Sequence, residues 1–197
     1  MDKPGFTPQL RQTLFGALTG RAGEVTGRPD GDLRAMLQGA FGEGRRRGGV
    51  DTRAAAQGLG VTQRTVQRWL AGTGRQRHGA SPEHLKAIAS RARQAASTQK
   101  GRRTAMAAAR RGPLTRNGAR LTVRGQQGPL RAGKEYRRMR RLDLDLQPED
   151  VEALMSAYER GGDKAFVAWL EGHADAEYVA DWGFDSVEDL ELRDPGP

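Results

Sequence analysis

The sequence predicts a mostly α protein with a small α+β part at its C-terminal end: a helix-turn-helix domain followed by a strand-helix-helix-strand domain. Three observations carry that prediction. Apolar residues recur at helical spacing in short runs up to about Gln94, a glycine turn joins two short cappable helices between Asp51 and Ala71, and period-two alternation begins only after Gly118. With 36% hydrophobic residues, 27 glycines and 9 prolines in 197 residues, the chain can build modest cores, and one large core is not expected.

Residues 1–50 form an N-terminal helical region with two patterns, Leu10, Leu14, Phe15 and Leu18, then Leu33, Met36, Leu37, Ala40 and Phe41, the second capped by Asp32. Gly42 to Gly49 reads as a loop with a local basic patch. Residues 51–94 form the helix-turn-helix domain. Asp51 or Thr52 caps a helix from Arg53 to Gly58, and Gly58-Leu59-Gly60-Val61 makes the turn. Thr62 caps a second helix from Gln63 to Leu70. After a loop from Thr73 to Ala80, Ser81 and Pro82 start a third helix that runs to about Gln94. Residues 95–137 are a basic segment, either a helix or a linker up to Arg116, then a strand from Ala119 to Arg124. Residues 138–197 form an acidic α+β domain. It has a strand from Arg138 to Leu146, a helix opened by Pro148 and ended by Gly161-Gly162, a helix from Lys164 to about Tyr178, and a closing strand from Ser186 to Leu192.

The charge is unevenly laid out. The chain carries 33 Lys and Arg against 24 Asp and Glu, a formal +9, but residues 142–197 are net −13 and residues 1–141 net +22. Between Val61 and Arg141 the only acids are Glu83 and Glu135. Such a segment gains affinity for a polyanion by releasing condensed counterions. The acidic tail is suited to repelling DNA, binding a protein, or folding against the basic half of the same chain. Only 5 of the 33 basic residues are lysine, which codon bias explains; bias does not explain segregation by sign.

A helix-turn-helix needs a small apolar core between its helices and polar side chains early on the second. Ala55, Leu59, Val61, Val66, Trp69 and Leu70 have the spacing for the core, and Trp69 is read as packing rather than as a stacking platform. Gln63, Arg64, Gln67 and Arg68 have the donor and acceptor geometry to read adenine and guanine edges, and Thr62 and Thr65 can bond phosphates beside the helix N-terminus.

Other chemistry is not expected. There are no cysteines, so disulfides, Cys-rich zinc sites and a cysteine nucleophile are excluded. His78, His84 and His173 lack ligand spacing, and no Ser/His/Asp set, phosphate loop or supported carboxylate pair can be assembled. No metal site, cofactor or catalytic constellation is therefore expected. With no apolar run near the ~18 residues of a membrane span and no signal-peptide pattern, the expectation is a cytoplasmic, nucleoid-associated protein without a membrane partner.

The series Gly58-Leu59-Gly60-Val61-Thr62-Gln63-Arg64-Thr65-Val66-Gln67-Arg68-Trp69, then Arg91 to Thr98, then Arg138-Met139-Arg140-Arg141-Leu142-Asp143-Leu144, resembles the Tpg-type terminal proteins of linear actinobacterial chromosomes and plasmids. The likeness covers roughly Val50 to Asp194. It implies a protein covalently attached to the 5′ ends of linear DNA, whose side-chain hydroxyl receives the first nucleotide and so primes replication and caps the end. A DNA polymerase would supply the metals, a telomere-binding protein would recruit the chain, and double-stranded and terminal single-stranded DNA would be its nucleic-acid partners. In that family the acceptor is a threonine shortly before the basic-to-apolar strand. Here that neighbourhood reads Ala132-Gly133-Lys134-Glu135-Tyr136-Arg137, so Tyr136 is the nearest hydroxyl, with Thr122 and Thr115 the next candidates. The alternative expectation is a helix-turn-helix transcription or plasmid-replication regulator, a homodimer through its acidic domain.

Overall fold

Helices fill the described chain up to Asn117 and a small sheet follows, as expected for a mostly α protein with a small α+β part. The computed structural model describes residues 8–21, 23–28, 31–45, 48–72, 79–131 and 134–195. Most of the loop expected from Thr73 to Ala80, Arg46 and Arg47 of the basic loop, and Ala132 and Gly133 of the candidate acceptor neighbourhood lie outside the described residues. None of the described helices is long and apolar enough to cross a membrane.

The chain divides into two compact units, one of residues 20–105 and one joining residues 1–19 to 106–197. These differ from the boundaries expected from composition at residues 50, 94 and 137. The reason is packing. Helix α2 (Leu33–Phe41) puts Met36 and Leu37 into the same buried cluster as the helix-turn-helix, so it belongs with α3 (Thr52–Leu59) and α4 (Gln63–Ala71). Helix α1 (Pro8–Thr19) sends Leu10, Leu14 and Leu18 into the cluster of the C-terminal unit instead. Helix α5 (Pro82–Ser97) closes the first unit with Ile88, Ala89 and Ala92.

Local capping fixes most helix starts. Asp32 Oδ1 accepts from Arg34 N–H at 2.9 Å, and Ser81 Oγ caps α5 ahead of Pro82. The segment expected to be a basic helix or a linker is helical: α5 runs to Ser97, and α6 (Gln99–Met106), a 3-10 turn and α7 (Pro113–Asn117) follow. Ala105 and Met106 are buried there.

In the C-terminal unit, β1 (Ala119–Arg131) runs well past the strand expected to end at Arg124, because both of its edges are paired. On one side lie β2 (Lys134–Glu135) and β3 (Arg138–Leu146), antiparallel from Leu130↔Glu135 to Ala119↔Leu146. On the other lie β4 (Trp182–Phe184) and β5 (Asp189–Arg193), also antiparallel. The expected closing strand from Ser186 thus begins at Asp189. Between β4 and β5 the register shifts by two residues, and Asp185 and Ser186 bulge over β1, both amides donating to Gln126 O. A Cβ on Gly125 would lie 2.0 Å from Ser186 O, so the bulge requires glycine there. Between the strands runs α8 (Pro148–Glu177), broken at Gly162 (φ 64, ψ −147), where the sequence places the end of one helix and the start of another. The expected strand-helix-helix-strand order is thus present as β3, the two halves of α8 and the return strand, with β1 added as the hairpin partner of β3 and the return strand split by the bulge.

Even-numbered Leu142, Leu144 and Leu146 on β3 and odd-numbered Leu121 and Val123 on β1 face α8 and are buried with Leu154, Tyr158, Phe166 and Leu170. Gln127 lies within this core, accepting from Trp182 Nε1 and donating to Val123 O and Arg140 O, so its polar atoms are satisfied.

Candidate nucleic-acid interface

Asp51 Oδ1 accepts from Arg53 and Ala54 N–H at 3.1 and 2.9 Å and starts α3. The helix ends at Gly60 in the left-handed region (φ 67, ψ 30), its N–H donating to Ala56 O. Val61 N–H also reaches Ala56 O, and Thr62 then caps α4, its Oγ1 accepting from Thr65 N–H at 3.2 Å. Two turns of chain thus reverse through one glycine conformation and one hydroxyl cap.

The apolar side of this hairpin is as expected. Ala55 and Val66 are fully buried, Trp69 is 6% exposed, and Leu59, Val61 and Leu70 pack partly buried around them. Trp69 also rests on the His84 ring of α5 at 5.0 Å. Gly58 lies against Phe41 of α2, where a Cβ would come within 2.4 Å of the ring.

With Val66, Trp69 and Leu70 turned inward, the helical period puts Arg64, Gln67, Arg68 and Ala71 on the opposite face, all exposed. Five of the six sequence-predicted contacts, Thr62, Arg64, Thr65, Gln67 and Arg68, line one shallow open depression. The sixth does not join them. Gln63 Nε2 donates to Thr52 Oγ1 at 2.8 Å, tying the start of α4 to the start of α3. Thr62 and Thr65 are likewise engaged with each other, hydroxyl to hydroxyl at 2.9 Å.

The charge of this unit follows the fold rather than the sequence order. Residues 20–105 hold 17 Lys and Arg against 6 Asp and Glu, net +11, while the other unit holds 16 against 18, net −2. The linear contrast of +22 and −13 is dissolved because the basic stretch 106–141 folds onto the acidic tail. Arg110 meets Glu159 at 2.6 Å and Glu152 at 3.3 Å, Arg137 pairs with Asp185, and Arg120 and Arg141 pair with Asp145 and Asp143. Of the three roles open to the acidic tail, folding against the chain's own basic half is the one observed.

The candidate hydroxyls all lie in the C-terminal unit and are not brought together. Thr115 Oγ1 donates to Arg110 O at 2.8 Å and Gly112 O at 3.2 Å, so it is spent on the turn before α7. Tyr136 is 41% exposed where β2 passes into β3. Thr122 lies half-buried on the outer face of β1 between Asp143 on β3 and Glu191 on β5, and its hydroxyl donates to Asp143 Oδ1 at 2.6 Å. That hydrogen bond, followed by the one from Arg141, holds the Asp143 carboxyl below the usual carboxylate range. Arg120 and Arg124, two residues to either side of Thr122, are exposed on the same face.

Sequence reasoning missed the carboxylate partner of Thr122, because it is 21 residues away and opposes Thr122 only through the β1–β3 register. It also missed Arg21, which donates to Gly39 O and Ala40 O at the end of α2; burial lowers its pKa from the ordinary arginine value.

Comparison with known proteins adds no relative: no family model matches the chain, and no curated protein or solved structure matches it.

Proposed function

We propose that this protein binds double-stranded DNA through α4 and serves as a terminal protein at the ends of a linear replicon, accepting the first nucleotide on a hydroxyl of its C-terminal unit. The observation that carries the DNA-binding part is the division of α4 itself. Val66 and Trp69 anchor one face in the core, and Arg64, Gln67 and Arg68 stand exposed on the other, in a unit of net +11. Arg and Gln on such a face suit guanine and adenine edges, and the Thr62-capped N-terminus suits a phosphate. Gln63, held by Thr52, serves the hairpin rather than the bases.

The priming part rests on the resemblance together with one geometric relationship. Among the three candidate hydroxyls, Thr122 is the one hydrogen-bonded to a carboxylate, within the distance at which a base takes a proton from a nucleophile. Its Oγ1 would attack the α-phosphorus of a deoxynucleoside triphosphate bound by the polymerase. An ester P–O bond forms, pyrophosphate leaves, and the hydroxyl proton passes to Asp143. Arg120 and Arg124 flank the phosphate. Tyr136, exposed but with no carboxylate hydrogen-bonded to its hydroxyl among the described residues, stands second, and Thr115, engaged with two carbonyls, third.

The test is incubation of the protein with the host polymerase, a labelled deoxynucleotide, a divalent metal and a replicon-end template, followed by mass mapping of the labelled peptide. Label on Thr122 carries the reading. Absence of label on every hydroxyl in an active polymerase system overturns the priming role and leaves the DNA-binding regulator.

A further inference from the structure

The sheet of the C-terminal unit is finished differently at its two edges. Helix α1 packs against β5 and α8 on one side. On the other, β3 is nine residues long, among the described residues its backbone ladder is with β1 alone, and β1 and α8 are the elements most closely packed against it. A long strand with one open edge offers a row of unpaired amides and carbonyls to another chain.

Charges on an edge ordinarily discourage such pairing, and β3 is heavily charged. Its order is what matters: Arg138-Met139-Arg140-Arg141-Leu142-Asp143-Leu144-Asp145-Leu146, basic in the first half and acidic in the second. A parallel copy in register would set arginine against arginine. An antiparallel copy related by a two-fold axis through Leu142 reverses the order, so that Arg141 faces the other chain's Asp143, Met139 its Asp145, and Leu142 its Leu142. That register uses all nine residues and keeps the three leucines on the core side. Moving the axis to Arg140, Arg141 or Asp143 places that charge against itself, and moving it to Leu144 sets Asp143 against Asp145. One register is complementary and its neighbours are repulsive, which is how a sheet edge can select a partner as well as admit one.

We propose that β3 is the interface for a second copy of this chain, joined antiparallel across Leu142 to make one continuous sheet through a two-fold axis. The inference rests on the C-terminal unit alone and holds whether or not the chain primes DNA. The outer face carrying Thr122 stays open, because a strand added at the edge extends the sheet in its own plane.

Sedimentation velocity on the intact protein, without DNA, reads the first consequence. A species of twice the 21.5 kDa chain is expected. Asp143→Arg should reduce it to monomer, and Arg141→Asp combined with Asp143→Arg should restore the dimer, with circular dichroism checking that each variant is folded. The second measurement fixes the register. The chain has no cysteine, so Met139→Cys and Asp145→Cys proteins carry one thiol each. In the proposed register these positions oppose each other at about 4.5–5.5 Å between Cα atoms, within disulfide range. Two copies of either variant alone would hold their thiols about 20 Å apart along the strands. Oxidation should therefore link the mixture and neither variant by itself. A wild type that stays monomeric up to its solubility limit, a dimer indifferent to Asp143→Arg in a folded variant, or a mixture that forms no disulfide would each overturn the proposal.

Discussion

The Thr122 hydroxyl donates to Asp143 Oδ1 at 2.6 Å across the β1–β3 ladder, and Arg141 approaches the same oxygen from 3.0 Å. A nucleophilic group, a proton acceptor and a cation are thereby placed on one open sheet face by strand register alone. If this face carries the nucleotide, Thr122→Val should abolish labelling and Thr122→Ser should retain it. Asp143→Asn should slow labelling by about 10²-fold or more, the scale of a lost general base. Equal labelling of wild type and Thr122→Val, measured by incorporated label per mole, sinks the assignment.

The same relationship makes stability depend on acid. Asp143 titrates below its ordinary value, chiefly through the Thr122 hydrogen bond, so the unfolded chain binds its proton at higher pH than the folded one. The contribution is therefore fully present above the ordinary carboxylate range, near about 3.9 for Asp, and is lost as pH falls through the depressed folded value. Thermal melts should show wild type exceeding Thr122→Val at neutral pH, with the gap closing as the medium is taken below about pH 4. A gap constant to low pH contradicts the linkage.

If α4 reads DNA as proposed, Arg64→Ala with Arg68→Ala should weaken DNA binding and flatten base preference. Each well-made base contact is worth about 1–3 kcal/mol, so affinity should fall at least ~10-fold. Fluorescence anisotropy over a salt series measures both effects, and unchanged affinity removes α4 from the interface. Gln63→Ala should leave base preference intact while lowering thermal stability, since its amide holds Thr52.

Inside the same hairpin, Trp69→Ala should cost about 3–5 kcal/mol through the cavity left between α4 and α5. Thr62→Ala should cost about 1 kcal/mol as a lost cap. Urea unfolding separates them; a Trp69→Ala loss no larger than that of Thr62→Ala would show that the ring is not a core anchor.

At the bulge, Gly125→Ala places a Cβ where Ser186 O stands, 2.0 Å away. The strand pair must part or shift, at a cost of about 1–3 kcal/mol or more. Amide exchange at Leu190 and Leu192 is the local readout. Native protection there in the variant would mean that the bulge can move aside.

Much of the helix-turn-helix was legible in the sequence because its signals are local. Asp51, Gly60 and Thr62 act within four residues of themselves, and the alternation of Val66, Trp69 and Leu70 with Arg64, Gln67 and Arg68 follows from the helical period alone. The break at Gly162 and the starts at Pro82 and Pro148 were readable for the same reason. Strand β4 was not, since three residues at Trp182–Phe184 carry no period and are held in place by Gln127 and Pro129 far upstream.

What the sequence determined by itself was thus the class of the fold, the caps, and the face that α4 shows to solvent. Tertiary structure decided which segments share a core, drawing α2 to the helix-turn-helix and α1 to the sheet. It decided that the basic stretch 106–141 neutralises the acidic tail through Arg110, Arg120, Arg137 and Arg141, leaving the positive excess on residues 20–105. It also decided that Thr122 rather than Thr115 has a carboxylate beside it. The physical reason is one of range. Caps and helical periods are enforced by atoms a few residues apart, whereas ion pairs and strand register are set only when distant segments compete for the same buried surface.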